Sequence, residues 1–160
     1  MEKMIIFKSQ LTEKEKTKVG ILINEVIDLY GDFYLTKNNI RLFIKENISV
    51  LFDNLKKGDK IAYCDDGVAI VTGFSDKFGR HYIKLLTKSN NIVDHLLKIL
   101  FWNLNCDLYC KIKKNNPVKR ILKRNGFKFA GGRGKEILFI RKYVIRHKEN
   151  KNGNANRSKN

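Results

Sequence analysis

The chain has 160 residues and a formal net charge of +17, with 33 Lys or Arg against 16 Asp or Glu. This length suits a single domain that buries a core without disulfide bonds. No run of about 18 apolar residues occurs, which excludes a membrane-spanning helix, and the first apolar run is too short for a signal peptide. We therefore expect a cytoplasmic protein.

The basic charge is concentrated in the last third of the chain. Residues 1–110 hold 16 basic and 14 acidic side chains, a net of +2, whereas residues 111–160 hold 17 and 2, a net of +15. Charge of this density can hold a polyphosphate cofactor or the backbone of a nucleic acid. It can also be only a solvated surface, as many charge runs are.

The three cysteines, Cys64, Cys106 and Cys110, favour reduced thiols. Two of them, Cys106 and Cys110, fall in one predicted strand, where four extended residues separate their Cα atoms by about 13 Å. That distance is too long for a disulfide. Because the chain has neither C-x-x-C nor H-x-x-x-H spacing, no metal site is expected.

The first half of the chain predicts one strand followed by helices. Residues 4–7 form a short apolar run typical of a strand. Thr12 and Glu15 form the capping-box pattern T-x-x-E, and apolar residues recur after it at helical spacing. A second, shorter helix is predicted over residues 39–47, and a further turn or helix over residues 49–57.

Three strands in a meander follow, over residues 60–64, 68–74 and 80–87. The first two are joined by Asp65-Asp66-Gly67, a tight-hairpin signature. The second is apolar throughout, which indicates burial on both faces. A helix is predicted next, with four apolar residues inward: Ile92, Leu96, Ile99 and Leu100. We expect Phe101, Trp102 and Tyr109 to belong to the core.

The last third predicts strand, helix, strand, strand. Residues 107–112 form a strand, Pro117 suits the first turn of a short helix, and Gly126 suits its end. Residues 127–129 resume a two-residue period. Residues 131–134 are interpreted as a hairpin turn and 135–143 as the final strand. The last residues lack apolar periodicity and are expected to be disordered.

The predicted order is therefore β-α-α-β-β-β-α-β-α-β-β. This order favours an α/β or α+β single domain with one mixed sheet covered by helices. The domain spans residues 1–143, and residues 144–160 form a basic tail.

This order, with the pattern N-P-x-x-x-x-L-K-R-N-G-F near the end, resembles the GNAT superfamily of acyl-CoA N-acyltransferases. The late motif of that family is typically N-x-x-A-x-x-x-Y-x-x-x-G-F. Asn115 falls on its Asn, Val118 on its small residue and Leu122 on its Tyr. By element order the resemblance covers residues 1–143.

The resemblance implies acetyl-CoA as cofactor. The family holds the pyrophosphate with Q/R-x-x-G-x-G/A at a helix N-terminus, where this chain has Lys88 in place of the Arg and Val93 in place of the last small residue. It implies ten cofactor-binding residues: Leu85, Leu86, Thr87, Lys88, Ser89, Asn90, Asn91, Asn115, Lys119 and Lys123.

Catalytic residues are less clearly marked. Leu122 occupies the position of the tyrosine that protonates the departing thiolate in the family, so Tyr109 is the candidate acid. His81 is the candidate base, with Tyr82, Asp65 and Asp66 as further possibilities on the meander.

Two functions remain open from the sequence. The first is an N-acetyltransferase that moves an acetyl group from acetyl-CoA to an unidentified amine. The second is a non-catalytic, GNAT-shaped phage protein, either virion-associated or bound to nucleic acid through residues 111–160. Such a protein would lie in the host cytoplasm or the virion. A third possibility, modification of DNA bases, has no specific residue in its favour.

Overall fold

The computed structural model describes residues 4–30, 56 and 58–144, with side chains described at all of these except 27–30. These residues form seven strands and three helices: β1 Ile6–Lys8, α1 Glu13–Tyr30, β2 Lys60–Cys64, β3 Gly67–Val71, β4 His81–Thr87, α2 Asn90–Asn103, β5 Leu108–Lys113, α3 Lys119–Arg124, β6 Lys128–Arg133 and β7 Glu136–Arg141. The helix predicted over residues 39–47, nearly all of that over 49–57, and the tail from residue 145 lie outside the described residues.

The strands form one seven-stranded sheet in the order β1-β2-β3-β4-β5-β7-β6. Every neighbouring pair is antiparallel except β4 and β5, which are parallel and joined by the crossover helix α2. The prediction of a single mixed sheet with helices is therefore confirmed.

Helix α1 begins at the predicted capping box. The Glu15 amide donates to Thr12 Oγ1 at 3.2 Å, and the Thr12 amide donates to Glu15 Oε1 at 2.9 Å. Two orphan amides of the first turn are thereby satisfied. Glu15 also accepts hydrogen bonds from Lys8 Nζ and the Tyr63 hydroxyl, which attach the helix start to β1 and β2.

Each face of the sheet buries a separate apolar cluster. Helix α1 packs on one face through Val19, Ile23 and Val26, which are at most 1% exposed. Helices α2 and α3 contribute to the cluster on the other face. The inward residues of α2 are Ile92, Val93, Leu96, Leu97 and Leu100. The predicted burial of β3 on both faces is confirmed, since all five of its residues are buried.

Two predicted boundaries are wrong because of glycine geometry. The second meander strand ends at Val71 and not at residue 74, since Gly73 has φ +97° and a Cβ there would lie 2.2 Å from the Arg80 carbonyl oxygen. Residues 131–133 are not a turn but the end of β6, after a register shift between Phe129 and Gly131. The turn falls at Gly134, where φ is +63°.

Burial corrects two further expectations. Of the three aromatic residues expected in the core, Trp102 is 87% exposed, because it lies on the outer side of the last turn of α2, and Tyr109 is half-buried outside both apolar clusters. Cys106 precedes β5, whereas Cys110 lies within it, and all three cysteines are free. Complete burial raises the pKa of the Cys110 thiol to about 12. None of the described helices is both long and apolar enough to cross a membrane.

Candidate active site

The parallel strands β4 and β5 separate soon after they meet. Their ladder consists of two residue pairs, His81 with Leu108 and Tyr82 with Tyr109. Beyond these pairs β4 continues for five residues and β5 for four, without further pairing between them. The sheet therefore contains a fork that opens toward the carboxyl ends of both strands.

The edge of β4 that faces the fork has no paired strand beyond the ladder. The Thr72 amide donates to the Tyr82 carbonyl at 3.0 Å, so the even-numbered residues of β4 direct their backbone groups toward β3. Because the direction alternates along a strand, the odd-numbered residues direct theirs toward β5. Beyond the ladder these residues are Leu85 and Thr87, since Ile83 still borders the pair of Tyr82 with Tyr109. Leu86 was predicted to bind the cofactor together with Leu85 and Thr87, but by this alternation the Leu86 amide points to β3.

The N-terminus of α2 lies at the mouth of the fork. Ser89 is its N-cap, but the Ser89 side chain makes no capping hydrogen bond, and the first turn contains no acidic residue. A helix start without these groups retains free amides and partial positive charge, which suit an anion. Thr87, at the end of β4, is 1% exposed and its Oγ1 has no hydrogen-bond partner among the described residues. An orphaned donor beside a free helix start fits a phosphate-bearing group.

The residues between β4 and the first turn of α2 differ in their exposure and in their contacts. Ser89, Asn90 and Asn91 are exposed. Lys88 was predicted to contact the phosphates, but its Nζ forms an ion pair with Glu25 of α1 at 3.2 Å. The Lys88 side chain is therefore directed to the sheet face on which α1 packs. Val93, which the sequence suggested would crowd the phosphate, is fully buried in the core cluster, so its methyl groups face the sheet.

The turn from β5 into α3 depends on Asn116 and not on Asn115. Asn116 is fully buried, and its Oδ1 accepts a hydrogen bond from the Val118 amide at 2.9 Å. Asn115, which the family motif indicated, is exposed. The signal that could have identified Asn116 is the Asn-Pro dipeptide, since Asn before Pro favours the start of a turn.

The basic side chains of α3 differ in whether they already contact another group of the protein. Lys119 Nζ donates to the Lys114 carbonyl at 2.8 Å, and Arg124 pairs with Asp94 of α2. Burial alone would raise the pKa of Asp94, but hydrogen bonds from Asn125 and Arg124 outweigh it and hold the pKa below its ordinary value. Lys123 is exposed.

The fork does not bring the two predicted catalytic side chains together. His81 Nδ1 lies 3.2 Å from the Thr72 carbonyl oxygen at the closed end of the fork, about 13 Å along β4 from Leu85. Tyr109 lies on the sheet face opposite α2 and α3, with its ring centroid 5.6 Å from that of Tyr82. Leu122 is fully buried in the core and brings no hydroxyl to the site.

A groove lies elsewhere on the molecule. It has a volume of about 840 Å³ and is lined by Lys98, Trp102, Arg124 and Tyr143, among others. Trp102 is about 18 Å along the axis of α2 from Asn90, so the groove lies away from the free helix start. The groove and the fork are therefore separate features.

Comparison with known proteins gives matches at the level of structure. No protein-family model and no curated protein matches the sequence. An N-acetyltransferase from Staphylococcus aureus Mu50 superposes with a TM-score of 0.58 at 16% identity, covering 87% of this chain and 97% of the other. The PaiA N-acetyltransferase of Thermoplasma acidophilum, solved in complex with coenzyme A, gives 0.60 at 16% identity, covering 88% and 99%.

A putative phosphinothricin N-acetyltransferase gives a TM-score of 0.60 at 12% identity, covering 89% of this chain and all of the other. Such low identity establishes the fold without establishing the substrate. The high coverage in both directions means that the likeness extends over most of the fold of each chain. The chain has the fold of the GNAT superfamily of N-acyltransferases.

Proposed function

We propose that the protein is an N-acyltransferase that takes an acetyl group from acetyl-CoA and transfers it to an amine. The observation that carries this proposal is the fork between β4 and β5, with the free start of α2 at its mouth. A narrow cofactor with a phosphate-bearing end matches both features. The complex of the Thermoplasma structure with coenzyme A supports the same reading.

The residues of the fork have distinct parts in the proposed reaction. Acetyl-CoA supplies an acetyl group activated as a thioester. The amides of Leu85 and Thr87 would donate hydrogen bonds to the acyl oxygen, where negative charge develops when an amine attacks. The free amides of α2 and the Thr87 hydroxyl would hold phosphate oxygens. Exposed Lys123 would add a mobile positive charge.

Proton transfer has two candidates. Tyr109 would protonate the departing thiolate, because the buried Leu122 cannot. His81 would accept the proton of the attacking amine, through water if the amine sits near Leu85. Tyr109 is assigned as a substitute for the tyrosine of the family, and His81 is assigned as a basic side chain of the meander, about 13 Å along β4 from Leu85.

Calorimetric titration of the full chain with coenzyme A and with acetyl-CoA tests the proposal. We expect saturable binding of both, and release of free thiol when acetyl-CoA is incubated with a panel of amines. Absence of binding at millimolar cofactor would overturn the proposal.

A matched pair of variants locates the site. Asn91→Pro removes one first-turn amide of α2, whereas Lys98→Gln changes an exposed residue two turns further along the same helix. We expect the first variant to weaken coenzyme A binding by roughly fivefold, the worth of about one hydrogen bond, and the second to leave it unchanged. Equal affinities for the two variants would place the phosphates elsewhere.

A further inference from the structure

The face of the sheet opposite α2 and α3 carries a second concentration of positive charge. Helix α1 packs on this face against β3 and β4, and β5, β7 and β6 lie beside them. From residue 107 to residue 144 the chain holds twelve Lys or Arg and two acidic residues. Four of these cations belong to α3, on the other face of the sheet, and the remaining eight still outnumber the acidic residues. A cluster of one sign of charge attracts a polyanion.

Strand register determines which of these cations share the face. Tyr82 pairs with Tyr109, Tyr109 pairs with Ile140, and Ile140 pairs with Lys128, so the four side chains project to the same side. Lys128 is exposed.

Two more lysines lie on this side by alternation. Lys84 is two residues beyond Tyr82, and Lys111 is two residues beyond Tyr109, on the two arms of the fork. Both lysines are exposed. We use the term basic face for the cations and tyrosines that share this side: Arg80, Tyr82, Lys84, Tyr109, Lys111 and Lys128.

Aromatic rings lie at the centre of the basic face, and cations lie over them. The rings of Tyr82 and Tyr109 are 5.6 Å apart at a tilt of 47°. The Arg80 guanidinium is 4.9 Å from the Tyr109 ring, and Lys111 Nζ is 5.3 Å from the Tyr82 ring. Both tyrosines are half-buried, which fixes their positions while part of each ring stays accessible.

The acidic residues of this segment do not neutralise the basic face. Asp107 accepts hydrogen bonds from the Tyr143 amide at 2.8 Å and from Lys142 Nζ at 3.4 Å. Glu136 lies opposite Arg133 at the turn between β6 and β7. The net charge of the basic face therefore stays positive.

We propose that the basic face binds single-stranded nucleic acid. From β4 through β5 and β7 to β6 the face spans three strand spacings, about 14 Å, which suits a chain of phosphates better than one phosphate group. Unpaired bases can stack on Tyr82 and Tyr109, and the long side chains of Arg80 and Lys111 can turn from the rings to the phosphates. In a duplex the faces of the bases are covered, so the tyrosines would have no partner there.

Fluorescence anisotropy of the full chain with a labelled 12-nucleotide oligothymidylate tests the proposal over a range of salt concentrations. Four phosphate contacts on a single strand predict a slope of log K against log salt of about −2.8, at roughly −0.7 per contact. The double variant Lys84→Gln with Lys111→Gln should shift the slope by about +1.4 and weaken binding at low salt.

The matched control removes two charges from the helices on the other face, Lys98→Gln with Arg120→Gln. This control should leave the oligonucleotide affinity near that of the wild type. Tyr109→Phe keeps the ring and should retain affinity, whereas Tyr109→Leu should lower it several-fold at every salt concentration. Thermal unfolding of each variant shows whether a loss reflects misfolding.

Two outcomes would overturn the proposal. One is equal loss of affinity in the two double variants, which would mean that only the total charge matters. The other is equal or tighter binding of a 12-base-pair duplex, or of inorganic polyphosphate, which would remove the role of the tyrosines. The inference is independent of acyl transfer, since Lys84→Gln with Lys111→Gln should still bind coenzyme A.

Discussion

Replacement of Thr87 by valine should stabilise the protein and weaken its binding to coenzyme A. Thr87 is 1% exposed and its hydroxyl has no partner among the described residues. A buried hydroxyl without a hydrogen bond costs roughly 1–3 kcal/mol by mutational measures, and valine has the same shape without this cost. We expect the free energy of unfolding to rise by about 1 kcal/mol, which corresponds to roughly 2–4 °C in Tm for a chain of this size.

The change in coenzyme A affinity should have the opposite sign. If a phosphate or amide oxygen of the cofactor is the missing partner of Thr87 Oγ1, the valine variant loses one hydrogen bond in the complex. A loss of about 1 kcal/mol corresponds to a roughly fivefold increase in Kd. Urea unfolding at pH 7 and calorimetric titration with coenzyme A measure the two effects on the same preparation.

Thr17→Val is the matched control, because the Thr17 hydroxyl is exposed and already donates to the Glu13 carbonyl at 3.1 Å. We expect no gain in stability from it. A destabilised Thr87→Val variant would refute the reasoning, because it would mean that the hydroxyl has a partner in the folded protein. A stabilised variant with unchanged affinity would refute the assignment of that partner to the cofactor.

Two further predictions concern the contacts that hold the helices. Tyr63→Phe should lower the free energy of unfolding by about 1.5 kcal/mol at pH 7, because the Tyr63 hydroxyl donates to the ionised Glu15. Hydrogen bonds from Lys8, then from the Thr12 amide and Tyr63, lower the pKa of Glu15 from 4.5 to about 2. The stabilisation by ionised Glu15 is therefore present above pH 4.5 and is lost as the pH falls toward 2. A deficit of the Tyr63→Phe variant in urea unfolding that persists undiminished at pH 2 would contradict this prediction. Asp94→Asn should cost about 0.5–1 kcal/mol, since its partner Arg124 is largely exposed, and the deficit should shrink in 1 M salt. A salt-independent deficit would show that the charge of Asp94 is not the cause.

Local chemistry was predictable where short-range rules decide the structure. The capping box of Thr12 and Glu15 forms as the sequence indicates, because both of its hydrogen bonds join residues three apart. The tight hairpin after Cys64 follows from turn chemistry in the same way, and helical spacing identified Ile92, Leu96 and Leu100 among the buried residues of α2. The fold class followed from the order of these elements.

Predictions failed where packing between distant segments decides the outcome. Trp102 was expected in the core, yet it lies outside the buried face of α2 and is exposed. Gly131 looked like part of a turn, but pairing with Leu138 of β7 keeps it in a strand through a register shift. In both cases the residue type could be read from the sequence, but the segment it would or would not pack against could not.

By itself, the sequence determined the start of α1, the tight hairpin, the mixed strand and helix order, and the excess of cations after residue 110. Tertiary structure alone decided that β4 and β5 separate after two pairs and that the Thr87 hydroxyl has no hydrogen-bond partner within the described part of the chain. It also decided that Lys84 joins Lys111 and Lys128 on one face. The physical reason is that parallel strands are joined by a long crossover, so the position at which they part, and the side chains they bring together, depend on packing across the whole sheet.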